Sequence, residues 1–168
     1  MIDADWAGKR KSHLTSIFLT EGDSARAFAV SGISVIGNDR YGVFPLRGKF
    51  LNVRNASVKQ IKANEEFCNI KRILGLKQGM RYKNVSQLRY GSIIILTDQD
   101  PDGSHIKGLI INMLEYFWPD LLQIDGFIKA YNTPIVKAWK KSDSKKSKIK
   151  QFYTMTEYEN WKRDLGND

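Results

Sequence analysis

One stretch of the sequence limits the possible folds more than any other: a run of isoleucines that leads through an acidic turn into an amphipathic helix. Residues 92–97 are apolar without alternation, which is typical of a strand covered on both faces in a parallel sheet. An Asp- and Gly-rich turn follows at residues 98–103. Apolar residues then recur at helical spacing from Ser104 to about Trp118, and Pro119 is expected to end that helix.

A similar strand, turn and helix lie near the start of the chain. Residues 16–20 are a short apolar run, and an acidic turn follows at residues 21–24. Residues 25–30 have a helical pattern that Asp23 or Ser24 can cap. Further strands are predicted at residues 40–44 (ending before Pro45), 49–53, 127–131 and 135–139, and further helices at 57–64 and 69–74. Strand–helix alternation with long crossovers predicts an α/β fold, with a mainly parallel central sheet flanked by helices.

The 168 residues, 42% of them hydrophobic, suffice for one globular domain with a sizeable core. The polar residues 1–15 are interpreted as a linker or the edge of the domain, and residues 16–168 as the domain itself. Within it we expect a basic loop at 140–150 and a final helix at 156–164, opened by a capping box at residues 156–159. A single cysteine, Cys68, excludes an internal disulfide framework and a cysteine-rich zinc site.

The charge of the chain indicates a polyanionic partner. Lys and Arg outnumber Asp and Glu by 27 to 18, which gives a net charge of +9. Nucleic acid is the first candidate for a partner of such a chain. No run is long enough to span a membrane, and the acidic, polar start does not resemble a signal peptide, so no membrane partner is expected. The lysine-rich loop at 140–150 is more simply a solvated loop than a nucleic-acid contact.

Both acidic turns follow strands, and the carboxyl ends of parallel strands are where sites gather in such folds. Neighbouring strands lie about 4.8 Å apart, so Glu21 and Asp98 can approach one another, and Asp100 lies two residues beyond Asp98 on the same side. Together with Asp102 these carboxylates repel, by about 4 kcal/mol for two charges 4 Å apart at an effective dielectric of 20. A hard divalent cation relieves that repulsion, and ligation by oxygen alone favours Mg²⁺.

Two other interpretations of the acidic turn are weighed against a metal site. Asp, Pro and Gly are ordinary turn residues, and Asp is an ordinary helix cap, so residues 98–103 can be a plain surface turn. The pattern also fits the first half of an EF-hand calcium loop. The twelfth position of that loop is Leu109 where a Glu is needed, and a strand precedes it, which excludes the EF-hand.

Three segments, in order, resemble the type IIA DNA topoisomerase family. The sequence Glu-Gly-Asp-Ser-Ala at 21–25 resembles the first motif of that family's TOPRIM domain, and Thr-Asp-Gln-Asp-Pro-Asp-Gly-Ser-His-Ile-Lys-Gly-Leu at 97–109 the second. Between them, Pro-Leu-Arg-Gly-Lys-Phe-Leu-Asn-Val at 45–53 is similar to a third family segment. The spelling of the second motif, with Trp118 and Pro119 after its helix, resembles eukaryotic-type topoisomerase II more than gyrase. The resemblance implies the Rossmann-like TOPRIM fold.

The resemblance also implies roles for individual residues. Glu21, Asp98 and Asp100 match the catalytic, Mg²⁺-binding carboxylates, and Asp102 lies beside them as a fourth metal ligand. One ion would be held by Glu21 and Asp98 at the scissile phosphate, and a second by Asp98 and Asp100. Glu21 is further implied as a general acid–base near the leaving 3′ oxygen.

Five residues are implied or expected to contact DNA. Lys49 and Asn52 match positions that contact DNA in the family, and Arg47 lies next to them in the sequence. His105 and Lys107 are predicted near the start of a helix, where the helix dipole attracts phosphate. Basic side chains at phosphates make binding dependent on salt. An isolated Arg-Gly-Lys or a lone His is otherwise an ordinary surface residue.

The family resemblance implies an ATP-hydrolysing type II DNA topoisomerase that cleaves and religates double-stranded DNA reversibly, with a tyrosine on a winged-helix domain. Neither that tyrosine motif nor an ATP-binding loop is recognisable here, so the chain is expected to be a fragment that binds Mg²⁺ but not ATP and is inactive alone. Its partners would be DNA and the ATPase and winged-helix tyrosine domains. The full-length family forms homodimers, whereas this piece can be a monomer. A cellular copy would act in the nucleus, and one from a large DNA virus in the host cytoplasm.

Two function classes compete with this hypothesis. A self-sufficient TOPRIM nuclease or primase-like enzyme would nick DNA or make primers without other domains. A non-catalytic basic DNA-binding module would use its acidic turns only as helix caps and would bind no Mg²⁺ near Asp98.

Overall fold

A computed structural model gives the fold and describes residues 1–47, 50–140 and 148–165. The chain divides into two compact units, Met1–Tyr131 and Asn132–Asp168. In the described residues no helix has both the length and the apolar character needed to cross a membrane.

The first unit alternates strands and helices, as the sequence predicts. Its strands are β1 (Ser16–Glu21), β2 (Tyr41–Leu46), β3 (Ser92–Leu96) and β4 (Ile128–Ala130). Its helices are α1 (Gly22–Ile36), α2 (Val58–Ala63), α3 (Glu65–Leu74), α4 (Pro101–Phe117) and the short α5 (Pro119–Leu122), with 3₁₀ turns at Ser12–Leu14 and Val85–Gln87.

The four strands form one parallel sheet in the order β2-β1-β3-β4. Ser16, at the start of β1, lies opposite Tyr41 of β2 and Ser92 of β3, so the three strands begin at one level. Each parallel pair requires a crossover, and the helices provide these crossovers. The predicted α/β class with a parallel central sheet is confirmed.

Helices pack on both faces of this sheet. Successive side chains of β1 point to opposite faces, so Ile17 and Leu19 join the large core cluster while Phe18 packs against a smaller cluster built around α1. The isoleucine run of β3 is buried between them, which explains why it carries no polar alternation. The large cluster takes these residues from α3 and α4: Phe67, Ile70, Ile73, Leu74, Ile106, Leu109, Ile110, Met113 and Leu114.

Two details of the predicted strands are wrong. β2 does not stop before Pro45 but continues to Leu46. Pro45 is tolerated because β2 is an edge strand, where one side of the backbone has no ladder partner at this level. The extended piece expected at residues 49–53 is a loop and turn over its described part, Phe50 to Val53.

The first fifteen residues pack as part of the first unit. Ala4 and Ala7 are buried, and Ile2 forms an antiparallel bridge with Val43 of β2. The backbone N–H of Ala4 donates to the phenolic oxygen of buried Tyr90 at 2.9 Å. A free linker would have none of these contacts, and these residues belong to the compact first unit. The boundary at residue 16 and the single domain over 16–168 stay predictions.

The second unit contains a hairpin and a helix. β5 (Val136–Ala138) and β6 (Lys150–Phe152) pair antiparallel, and α6 spans Met155–Leu165. The capping box lies two residues earlier than predicted: Thr154 Oγ1 accepts the N–H of Glu157 at 3.2 Å, and Glu157 accepts the N–H of Thr154 at 3.3 Å. Most of the expected basic loop, residues 141–147, lies outside the described residues.

Candidate functional site

Two of the predicted acidic segments emerge at the same edge of the sheet. Thr20 of β1 lies opposite Leu96 of β3, so the next residues, Glu21 and Thr97, leave the strand pair at one level. Asp98 is the next residue after Thr97. The edge at which the parallel strands end therefore carries Glu21 on one strand and the start of the acidic turn on its neighbour.

The chain turns sharply after Glu21 to enter α1. Gly22 has a φ of 81°, a left-handed conformation that favours glycine. Glu21 is the N-cap residue, but its side chain accepts no capping hydrogen bond. The predicted cap at Asp23 or Ser24 is wrong, because both residues already lie within the helix. The Glu21 carboxylate is therefore available for another task.

The acidic turn folds tightly against the start of α4. Asp100 caps this helix, and its Oδ1 accepts the N–H of Gly103 at 2.7 Å. A Cβ on Gly103 would lie 2.1 Å from the backbone oxygen of Asp98 and 2.9 Å from Thr97 Oγ1, so only glycine allows this approach. The ordinary capping role thus holds for one oxygen of Asp100.

The acidic side chains affect one another electrostatically. Burial raises the pKa of half-buried Glu21 above its usual value, and the negative charges of Asp100, Asp102 and Asp98 raise that pKa further. Asp98 and Asp102 are exposed, as is Asp100. None of the four carboxylates forms an ion pair with a cation of the described residues. These four carboxylates therefore share one edge without forming an ion pair within the described residues.

The chemistry of this donor set fits Mg²⁺, because it consists of carboxylate oxygens with room for water. The side chains do not converge, however: among residues 1–47, 50–140 and 148–165 no three acidic, His or Cys side chains are grouped closely enough to hold a metal ion. The metal set Glu21, Asp98, Asp100 and Asp102 stays a prediction.

Arg47 lies beside the acidic residues at the same edge. Glu21 is opposite Leu46, the last residue of β2, and Arg47 follows it with an exposed side chain. Lys49 lies outside the described residues. The sheet therefore places Arg47 of the third motif at the same edge as Glu21 of the first motif.

The other three predicted DNA contacts lie on a loop and on α4. Asn52 is exposed between two buried residues, Phe50 and Val53, which fix its loop to the core. His105 is exposed and Lys107 half-buried, both within the first two turns of α4. Their roles in binding DNA stay predictions.

Comparison with known proteins shows the family. The model of the Toprim domain matches residues 16–135. The chain belongs to the Toprim domain family. It is 56% identical over 165 residues to DNA topoisomerase 2 of Pisum sativum, which covers 98% of this chain and 11% of that protein. It is 51% identical over 164 residues to DNA topoisomerase 2 of Acanthamoeba polyphaga mimivirus, covering 98% of this chain and 13% of the relative.

A solved structure supports the same fold. The DNA-binding, cleavage and re-ligation domain of Plasmodium falciparum topoisomerase II matches with a TM-score of 0.86 and 50% identity, covering 96% of this chain and 22% of that one. The Toprim fold and the resemblance to eukaryotic-type topoisomerase II are confirmed. The chain spans only about a tenth of the length of the curated relatives it matches.

Sequence reasoning missed several residues near the Toprim site. Glu66 is buried on α3, and its Oε2 has no hydrogen-bond partner among the described residues. Burial raises the pKa of Glu66, while the backbone and charge of Arg47 lower it, so Glu66 contacts the segment that follows β2. Its position one helical turn before buried Ile70 was a usable sign of burial. Arg54 and Asn112 were missed as well, because nothing in the sequence links residues so far apart.

Proposed function

We propose that this Toprim domain is part of an ATP-hydrolysing type II DNA topoisomerase. In the intact enzyme it would assist reversible double-strand cleavage and religation by a tyrosine in a domain outside this chain. The observation that carries the proposal is the meeting of Glu21, the Asp98–Asp102 turn and Arg47 at one edge of the sheet. The names of the relatives support it.

The carboxylates would hold one or two Mg²⁺ ions. Glu21, Asp98 and Asp100 would be the main ligands and Asp102 an additional one. When bound, the metal supplies Lewis-acid stabilisation of the charge that develops on the leaving 3′ oxygen. Weak binding is expected without DNA, because phosphate oxygens would complete the coordination shell.

Glu21 has a second task, the transfer of a proton. A carboxyl group within hydrogen-bond reach of the reacting oxygen can act as a general acid and then as a general base. During cleavage Glu21 would donate that proton to the leaving 3′ oxygen of the DNA. During religation the carboxylate would take the proton back from the 3′ hydroxyl as that oxygen attacks the phosphorus.

The cationic and polar residues around the acidic edge would hold the DNA backbone. Arg47, Lys49 and Lys107 would neutralise phosphates, and Asn52 and His105 would add hydrogen bonds. The net charge of +9 favours approach of double-stranded DNA from a distance. Affinity should therefore fall as salt rises, in proportion to the number of phosphates contacted.

The proposal extends to partners and place of action. The domain would work with an ATPase domain, which binds the ATP, and a winged-helix tyrosine domain of the same enzyme, within a homodimer. A cellular copy would act in the nucleus and a viral copy in the host cytoplasm.

The test is Asp98→Asn in the full-length enzyme, with DNA cleavage as the readout. Because Asp98 is exposed, folding should be unchanged while cleavage with Mg²⁺ falls by at least about a hundredfold. The matched control is Asp125→Asn, which removes the same charge just before β4, at the opposite end of the strands, and should cleave normally. Wild-type cleavage by Asp98→Asn, with a measured metal requirement, would refute the assignment.

A nicking assay on the 168-residue chain separates this proposal from a self-sufficient nuclease. The chain alone with Mg²⁺ should leave supercoiled plasmid intact, and metal-dependent nicking would support the nuclease instead. An NMR titration tests the alternative that the chain is a non-catalytic DNA-binding module. The capping hydrogen bond of Asp100 favours that alternative. Mg²⁺ should shift the resonances of Asp98 and Glu21 when a short duplex is present, and unchanged resonances would favour the module.

A further inference from the structure

A polar network joins the loop after β2 to the middle of α4. Asn52 Oδ1 accepts two hydrogen bonds, from the backbone N–H of Arg54 at 3.2 Å and from Nδ2 of Asn112 at 3.1 Å. The Nε of Arg54 donates to Oδ1 of Asn112 at 2.6 Å, and its guanidinium pairs with Glu115. The three residues Asn52, Arg54 and Asn112 therefore form a closed ring of hydrogen bonds.

This ring fixes which end of the Asn52 carboxamide is the oxygen. A backbone N–H and a guanidinium N–H can only donate, so each must meet an oxygen. The Nε of Arg54 thus determines the orientation of Asn112, whose Nδ2 must then face Asn52. Both lone pairs of Asn52 Oδ1 are engaged. Its Nδ2 makes no hydrogen bond to a described residue, and the side chain is exposed.

Buried side chains also anchor the loop that carries Asn52 to the core. Phe50 and Val53 are buried on either side of Asn52, with exposed fractions of 4% and 1%. The Arg54 guanidinium lies over the ring of Tyr116, 5.9 Å from its centroid. Backbone and side chain of Asn52 are therefore both restrained before any ligand binds, which lowers the entropy lost on binding.

Resting on the proposed function, we propose that Arg54 and Asn112 are positioning residues that make Asn52 a donor-only contact to a DNA phosphate. A phosphate oxygen only accepts hydrogen bonds, so it is attracted by the Nδ2 end of the carboxamide and repelled by the Oδ1 end. A free asparagine side chain can present either end. The ring of hydrogen bonds removes that ambiguity, because turning the amide over would set Nδ2 of Asn52 against the donors of Arg54 and Asn112.

The test is a double-mutant cycle on the 168-residue chain, with binding to a short fluorescent duplex measured by anisotropy at low salt. Asn52→Ala and Asn112→Ala should each weaken binding by about fivefold. The double variant should bind no more weakly than Asn52→Ala, because Asn112 acts through Asn52. The control Ile111→Ala changes an exposed neighbour outside the network and should bind as the wild type does.

Two further readouts separate positioning from a general structural role. The slope of log K against log salt should be unchanged in Asn52→Ala and Asn112→Ala, since a neutral amide releases no counterion. Arg47→Ala should instead make this negative slope shallower by about 0.9. Arg54→Lys keeps the charge beside Glu115 but lacks the Nε donor. Its affinity for the duplex should therefore lie between those of the wild type and Asn112→Ala. If Asn112→Ala lowers the thermal midpoint of the chain, Arg54→Lys replaces it as the test of the network.

The outcomes distinguish this inference from the proposed function. A wild-type chain that does not bind the duplex would contradict the proposed DNA contact itself. Normal binding by Asn52→Ala would overturn the inference alone, as would an Asn112→Ala effect that persists in the Asn52→Ala background. The inference would also be overturned if Asn112→Ala bound the duplex with full affinity while Asn52→Ala bound it weakly.

Discussion

The close contact between Gly103 and the Asp98 backbone gives a prediction that tests the geometry of the acidic turn. Gly103→Ala adds a Cβ that would lie 2.1 Å from the backbone oxygen of Asp98. Cβ atoms essentially never approach closer than 3.0 Å, so the turn and α4 must separate by about 0.9 Å. The neighbour is backbone, which cannot rotate away as a side chain would.

The expected change in stability is the difference of two effects. Alanine in a helix is more favourable than glycine by up to about 1 kcal/mol. Forcing extra volume into a packed site costs about 1–3 kcal/mol. We expect Gly103→Ala to lose about 1–2 kcal/mol, or roughly 2–8 °C in the thermal midpoint of a chain this long. The shift also moves the backbone of Asp98, which would change the position of its carboxylate relative to Glu21.

The control lies on the same helix. Apart from the neighbouring residues and the backbone of its own helix, no atom of the described residues lies within 4 Å of the point that a Cβ on Gly108 would occupy, so Gly108→Ala should gain up to about 1 kcal/mol. Urea denaturation of both variants and the wild type measures these changes, and NMR titration with Mg²⁺ and a short duplex reports on the acidic edge. A Gly103→Ala protein as stable as Gly108→Ala, with unchanged resonances at Asp98, would show that the close contact does not exist.

Three further changes have expected outcomes. Because the folded pKa of Glu21 lies above its ordinary value of 4.5, stability is lost as pH rises through that pKa. Glu21→Gln should therefore be more stable than wild type at pH 7 in urea, a difference that vanishes near pH 4. Tyr90→Phe leaves the buried N–H of Ala4 without its acceptor and should cost about 1–3 kcal/mol, with faster proteolysis of the first residues; protection equal to wild type would contradict their packing. Ile110→Ala, at a fully buried position of α4, should cost about 2–5 kcal/mol in denaturant, and a change below about 1 kcal/mol would contradict the packing described for this helix.

Much of the fold could be predicted because its decisive features are local. The apolar runs of β1 and β3 and the acidic turns after them lie within a few residues of each other, and parallel pairing brings such turns to one edge. The helical period predicted α4 from Ser104, although the helix begins three residues earlier, at Pro101. Only the structure shows that the backbone of Asp98 lies where a Cβ on residue 103 would be.

The errors arise where contacts between distant residues override local preference. Pro45 stays within β2 because that strand is at the edge, which no local pattern reveals. Ala4 is buried because Tyr90, 86 residues later, accepts its N–H. Asn52 was chosen only through a family resemblance, whereas its hydrogen bond to Asn112 crosses 60 residues. Each of these facts depends on the tertiary arrangement, which no local sequence pattern contains.

The carboxylates at the acidic edge differ in their surroundings: two of them lie at the start of α4, and Glu21 does not. Asp100 caps α4, and Asp102 lies in its first turn, where the helix dipole favours negative charge. Glu21 instead ends a strand, half-buried, without a capping bond, and its pKa is raised by burial and by all three aspartates. Asp100 and Asp102 therefore lie where the helix dipole attracts negative charge, while their proximity raises the pKa of Glu21. A divalent cation among them would favour the ionised form of Glu21, so binding of the proposed metal would release any proton that this carboxyl group holds.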